Sequence, residues 1–204
     1  MVGRFDDAIA AIDAANAADP VTIEVRGRRR PKEQAHAELM TEWVERLDPS
    51  ADEAQLLAAR GHHLRRWAVP RSTFPEGRAG YLRWRLALRA RHAADVAELL
   101  DAVGYDQATV ERVRAIVEKD GLRPDGRTTD AAIQVHEDAL CLVFLETQLT
   151  ATADQLGDEK IVEVIRKTAR KMSPAGLAMV AHLGLGDREQ RLVEQALSGG
   201  GDGA

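Results

Sequence analysis

Residues 132–146 read "AIQVHEDALCLVFLE". Ile133, Val135, Leu140, Leu142, Val143, Phe144 and Leu145 leave little of this segment for water, so a helix from Ala131 to Thr150, apolar on nearly every side, is expected. Yet His136, Glu137 and Asp138 stand at its centre. An ionised carboxylate in such surroundings is costly unless a counter-charge or a metal compensates it. Something must neutralise the pair, and the candidates are the chain's arginines or a cation held with its histidines.

Helical periodicity continues outward from this segment. Phe5, Ala8, Ile9, Ile12 and Ala15 mark a first helix that stops by Asp19-Pro20. "VTIEVRGRRRPK" reads as a loop with at most a short extended piece. Pro31 opens a second helix carrying His36, Leu39, Met40, Trp43 and Leu47. A third, capped by Ser50 or Asp52, is expected to run to about Trp67 and to end on His62 and His63. Pro70 and Pro75 impose an irregular segment, and a long fourth helix follows with the core stripe Leu86, Ala90, Ala93, Ala97 and Leu100, closed at Gly104. Thr109 is expected to cap a fifth helix, and two or three weaker helices begin near Glu159, Ser173 and Asp187. The expectation is an all-α single domain over residues 1–198, with 199–204 as a flexible tail.

The chain has 204 residues and a net charge of −5, unevenly spread. From Arg60 to Arg91 there are nine arginines and one acid, a local +8 that leaves −13 elsewhere. General nucleic-acid binders tend to be basic overall, so this concentrated field suits a small anionic ligand better than a long polyanion. The competing reading pairs these arginines with acids elsewhere. No apolar run spans a bilayer, Cys141 is the only cysteine, and the acidic N-terminus is no signal peptide, so a cytoplasmic location is expected. The basic run "RKTARK" reads as a solvated helix face.

His36, His62, His63 and His92 fall on successive helices, with Arg85 and Arg89 on the same side of the fourth helix as His92. Imidazoles combined with a carboxylate suit a divalent zinc, iron or manganese ion. His182 fits no station.

This order resembles the HD superfamily of metal-dependent phosphohydrolases. "QAHAELMTEWVERL" supplies a first station at His36, "LLAARGHHL" resembles the segment of the His-Asp pair, "RHAADVAELLDAVGYDQATVERVRAIV" places His92, and "HEDALCLVFLE" resembles the closing segment with Asp138. The resemblance implies metal ligands at His36, His62, His63, His92 and Asp138. It departs at His63, where the signature has Asp, so a single-metal centre, a rebuilt site and a site without catalysis all stay open. Along the whole chain, "FDDAIAAIDAANAADP", "AARGHHLRRWAVPRSTFP", "GYLRWR", "HEDALCLVFLE" and "RKTARKMSPAG" are similar to the bacterial family catalogued as domain of unknown function 4202, which implies no activity.

The expected function is metal-dependent hydrolysis of a small phosphorylated or nucleotide substrate. Arg66, Arg85 and Arg89 would hold the phosphate and Glu137 would act as general base or orient a ligand histidine, with Arg65, Arg71, Arg78, Tyr81 and Trp84 contacting the substrate. One alternative is a di-iron oxygenase in which His92 with Asp95 or Glu118 seats a second metal. Another is a non-catalytic nucleotide or RNA binder, because Trp67, Phe74, Tyr81 and Trp84 alternate with arginines.

Overall fold

A computed structural model describes residues 3–123 and 125–198. The tail expected at 199–204 lies outside the described residues. The fold is all-α, and its one sheet among the described residues is a two-stranded hairpin. The chain forms two compact units, Met1–Asp120 and Gly121–Ala204.

The first unit begins with α1 (Arg4–Asn16), which buries Ala8, Ile12 and Asn16. The segment expected as a loop pairs as an antiparallel hairpin, β1 (Thr22–Val25) with β2 (Arg28–Pro31). Arg26 and Gly27 both take positive φ, the pairing a tight hairpin turn requires. β2 delivers Pro31 to the N-cap of α2 (Lys32–Leu47), whose interior face is Ala35, His36, Leu39, Met40, Trp43 and Val44. Asp19 fixes this junction: its two carboxylate oxygens accept from the backbone of Val21 at 2.9 Å and of Glu33 at 3.0 Å.

Asp52 caps α3 (Glu53–Gly61) by accepting from Gln55 N, and Gln55 returns the bond to the Asp52 backbone. α3 ends six residues earlier than the sequence suggested. Arg65 adopts left-handed backbone at φ 52°, which an α-helix running to Trp67 could not accommodate. Two short 3₁₀ turns, Arg66–Ala68 and Arg71–Thr73, occupy the proline segment.

The long α4 (Gly77–Val103) ends at Gly104 in the left-handed region, as expected. Its core stripe is only half covered. Ala93, Ala97 and Leu100 are buried, whereas Ala90 is exposed and Leu86 is 67% exposed. α5 (Gln107–Glu118) is capped by Asp106, not Thr109; Asp106 Oδ1 accepts from Thr109 N at 2.9 Å. α3 packs against α2 and α5, and α4 against α5 and α1. Arg60 pins α3 to α1 through two 2.6 Å bonds to Asp13.

In the second unit, α6 (Ala131–Thr147) stops three residues short of the expected end, and α7 (Leu149–Leu156) follows as a separate helix. α8 (Asp158–Ala169), α9 (Pro174–Met179) and α10 (Asp187–Ser198) complete it. α8 packs on α7 and α10, and α6 on α9.

Candidate metal centre

The acids that motivated a buried cation find their partners inside the second unit. Asp138 is 1% exposed and accepts from Ser173 N at 2.8 Å, from Ser173 Oγ at 2.5 Å and from Gln134 Nε2 at 3.0 Å. Burial pushes its carboxyl above the usual range despite these bonds. Glu137 lies 3.7 Å from the Lys171 ammonium. Lys171, read from the sequence as part of a solvated basic face, therefore supplies the charge that Glu137 requires. Asp138 is thus held by Ser173 and Gln134, and Glu137 faces a lysine.

The histidines gather in the first unit around an acid that the sequence reading passed over. One ligand atom each from Glu33, His36 and His63 lie within 4.8 Å of one another. Among the described residues this is the one group of three or more such side chains that could hold a metal ion. Glu33 and His36 share α2, one helical turn apart, so their side chains project to the same face. His63 arrives from just beyond α3, and its Nδ1 lies 3.2 Å from Glu33 Oε2. The side chains of Glu33 and His36 are each 4% exposed, whereas that of His63 is 20% exposed and forms the solvent-facing edge.

Two more imidazoles stand alongside. The ring of His62 is 4.0 Å from that of His63, and the ring of His92 is 5.5 Å from it. Gly61 permits this approach of α3 to α4, since a Cβ there would sit 2.5 Å from Val96 Cγ2. His92 Nδ1 donates to the Leu64 carbonyl at 3.0 Å, because a carbonyl can only accept. Its Nε2 is then a lone pair, buried and without a hydrogen-bond partner among the described residues.

The protonation states suit a cation. Burial drives the His63 imidazole down to about 3, against the opposing pull of Glu33, and drives His92 down to about 4. Both are neutral at pH 7. Burial alone would raise the carboxyl of Glu33, but hydrogen bonds from His36 and His63 outweigh it and hold that carboxyl far below the usual carboxylate range. Its place in the first turn of α2 also favours the anion. Glu33 is thus an ionised, 3%-exposed carboxylate, and among the described residues no lysine or arginine lies within ion-pair distance of it. A divalent cation would fill that deficit, and the Glu33 carboxylate is already ionised to receive it.

The arginines divide by role. Arg60 pairs with Asp13 and Arg91 with Asp95. Arg71 donates to the carbonyls of Phe74, Pro75 and Gly77, and Arg89 to that of Glu118, so both hold backbone. Arg65, Arg66, Arg78, Arg83 and Arg85 have no acidic partner among the described residues. Of these, Arg66 is half-buried and close enough to depress the pKa of both His63 and His92. Its guanidinium lies 5.2 Å from the centroid of the Trp84 ring. Trp84 in turn donates from Nε1 to Val69 at 3.0 Å, which holds the proline segment onto α4. Tyr81 sits 5.9 Å from Trp84, with Arg85 over its outer side at 5.8 Å. Asp95 is taken by Arg91, and the Glu118 carboxylate faces Arg114 at 3.8 Å.

No curated protein and no solved structure matches the chain. A family model does match residues 6–193, nearly the whole length: the chain belongs to the family described as Domain of unknown function (DUF4202).

Proposed function

We propose that Glu33, His36 and His63 hold a divalent metal and that the first unit is a metal-dependent hydrolase acting on a small phosphorylated or nucleotide substrate. One observation carries this reading. An ionised carboxylate is buried among imidazoles with no lysine or arginine in ion-pair reach among the described residues. Three protein donors, two imidazoles and a carboxylate, are the complement of a catalytic zinc site that keeps a position open. The order of histidines resembling the HD phosphohydrolases supports the same class. The carboxylate missing at position 63 is supplied instead by Glu33, so the site reads as rebuilt, not lost.

A metal bound there supplies Lewis-acid activation of water and neutralises developing negative charge. The chain's own groups do the remainder. Arg66, kept in place by the Trp84 face and free of carboxylates among the described residues, binds a phosphoryl oxygen beside the cluster. His92 Nε2, its lone pair fixed by the bond to Leu64, accepts a hydrogen bond from a water or a substrate hydroxyl. Glu137, Asp138, Arg71 and Arg89 are engaged elsewhere and take no part.

The test is to reconstitute purified protein with zinc, manganese or iron and assay a panel of phosphomonoesters and nucleotides. Metal-dependent turnover that Arg66→Ala abolishes supports the proposal, and a loaded protein inert on the whole panel rejects it. The same two-histidine, one-carboxylate set also suits non-haem iron, which keeps an oxygenase as the second reading. Oxygen consumption by the iron-loaded protein separates the two.

A further inference from the structure

The N-terminal half of α4 continues a core face that none of the described residues of the first unit covers. Ala79, Leu82, Leu86 and Ala90 recur at three- and four-residue spacing, in line with Ala93, Ala97 and Leu100 of the same helix. The last three are buried against the unit, while all four of the first are exposed, Leu82 by 51% and Leu86 by 67%. One continuous stripe thus leaves the core and runs on, bare, for about three turns, roughly 17 Å. A lone exposed leucine needs no explanation; two in register on the extension of a core face do.

Charge says what covers it. Arg78, Arg83 and Arg85 border the stripe, all exposed and none ion-paired among the described residues, and Gly77–Arg91 contains no acid. A second copy meeting the stripe face to face would oppose arginine to arginine. The −13 carried elsewhere disfavours an anionic bilayer or a long RNA, whose charge extends beyond the local field. RNA would also need free ring faces, whereas Trp84 is tied to Val69 and covered by Arg66.

We propose that this face docks a short amphipathic helix of a partner protein. That helix presents leucine-type side chains to Leu82 and Leu86, with glutamates or aspartates flanking them to meet Arg78, Arg83 and Arg85. The site is separate from the metal cluster and does not depend on it.

The experiment uses the full chain and two labelled helical peptides with leucines at the packing positions, one flanked by glutamate and one by lysine, read by fluorescence anisotropy. The glutamate peptide binds and the lysine peptide does not. L82N/L86N weakens binding at least about tenfold, and R83E/R85E exchanges the preference so that the lysine peptide binds. Every substituted side chain is exposed, so both variants keep the wild-type melting temperature and metal content. Four results would each overturn the proposal. The first is no binding of the glutamate peptide, and the second is equal binding by wild type and both variants. The third is tighter binding of phosphatidylserine vesicles or oligouridylate through the same side chains. The fourth is a wild-type dimer that L82N/L86N dissolves.

Discussion

His92 donates to the carbonyl of Leu64 at 3.0 Å, while the N–H on the other side of that peptide bond, from Arg65, donates to Asn16 Oδ1 at 3.3 Å. One peptide group is gripped from both faces by two buried side chains. The grip holds Arg65 in left-handed backbone and turns the chain so that Arg66 comes to rest over Trp84. His92→Ala should therefore cost about 1–3 kcal/mol of stability, through the orphaned carbonyl and the void. It should also weaken binding of inorganic phosphate to the metal-loaded protein by releasing Arg66. Chemical denaturation and phosphate titration check the two effects separately.

Asp138 is a structural residue on this account. Asp138→Asn keeps the shape but puts an N–H donor where one of the two oxygens accepts from Ser173, so the melting temperature should fall. Metal content should stay that of the wild type, because Glu33, His36 and His63 are untouched. Elemental analysis of the variant decides. Loss of metal would return Asp138 to the ligand set that the sequence suggested.

Gly80 sits where a Cβ would fall 1.8 Å from the Pro75 carbonyl oxygen and 2.7 Å from its carbon. Backbone cannot rotate aside as a side chain can. Gly80→Ala should cost about 1–3 kcal/mol and shift the proline segment off α4. A red shift of tryptophan emission as the Trp84–Val69 bond loosens is the readout.

Tyr105 donates to Glu53, and burial together with that acid raises its phenol from 10.0 to about 12. A group whose folded pKa is raised contributes stability that is whole below the unfolded value and is lost as pH climbs through the folded one. Unfolding should become easier between pH 10 and 12, and Tyr105→Phe should flatten that slope while costing about 1 kcal/mol at pH 7. Denaturation midpoints of the two proteins across that interval test the sign.

Much of the fold could be read from local signals. The stop at Asp19-Pro20, the Asp52 cap and Gly104 each act within a few residues, and each helix they bound is present. The gathering of His36, His62, His63 and His92 was also legible, from order along successive helices. What escaped depends on contacts distant in sequence. Glu33 looked like one acid among many in a first turn, and only His63, thirty residues on, makes it special. Glu137 and Asp138 seemed to demand a cation because Lys171 and Ser173 lie far along the chain. The periodicity of α4 was correct, but periodicity does not tell where a partner surface ends, so Leu86 and Ala90 were counted as core. The signal that would have found Glu33 is its spacing: an acid three residues before a histidine on one helix face.

The central claim is that the buried Glu33 carboxylate is balanced by a metal. Elemental analysis of the full chain, as purified and after exchange with zinc, manganese or iron, tests it most directly when run beside Glu33→Gln and His63→Ala. The account predicts about one equivalent of bound metal per chain in the wild type, and a trace in either variant while circular dichroism stays helical. A wild-type protein that holds no metal after reconstitution, or a Glu33→Gln protein that holds as much as the wild type, would contradict it.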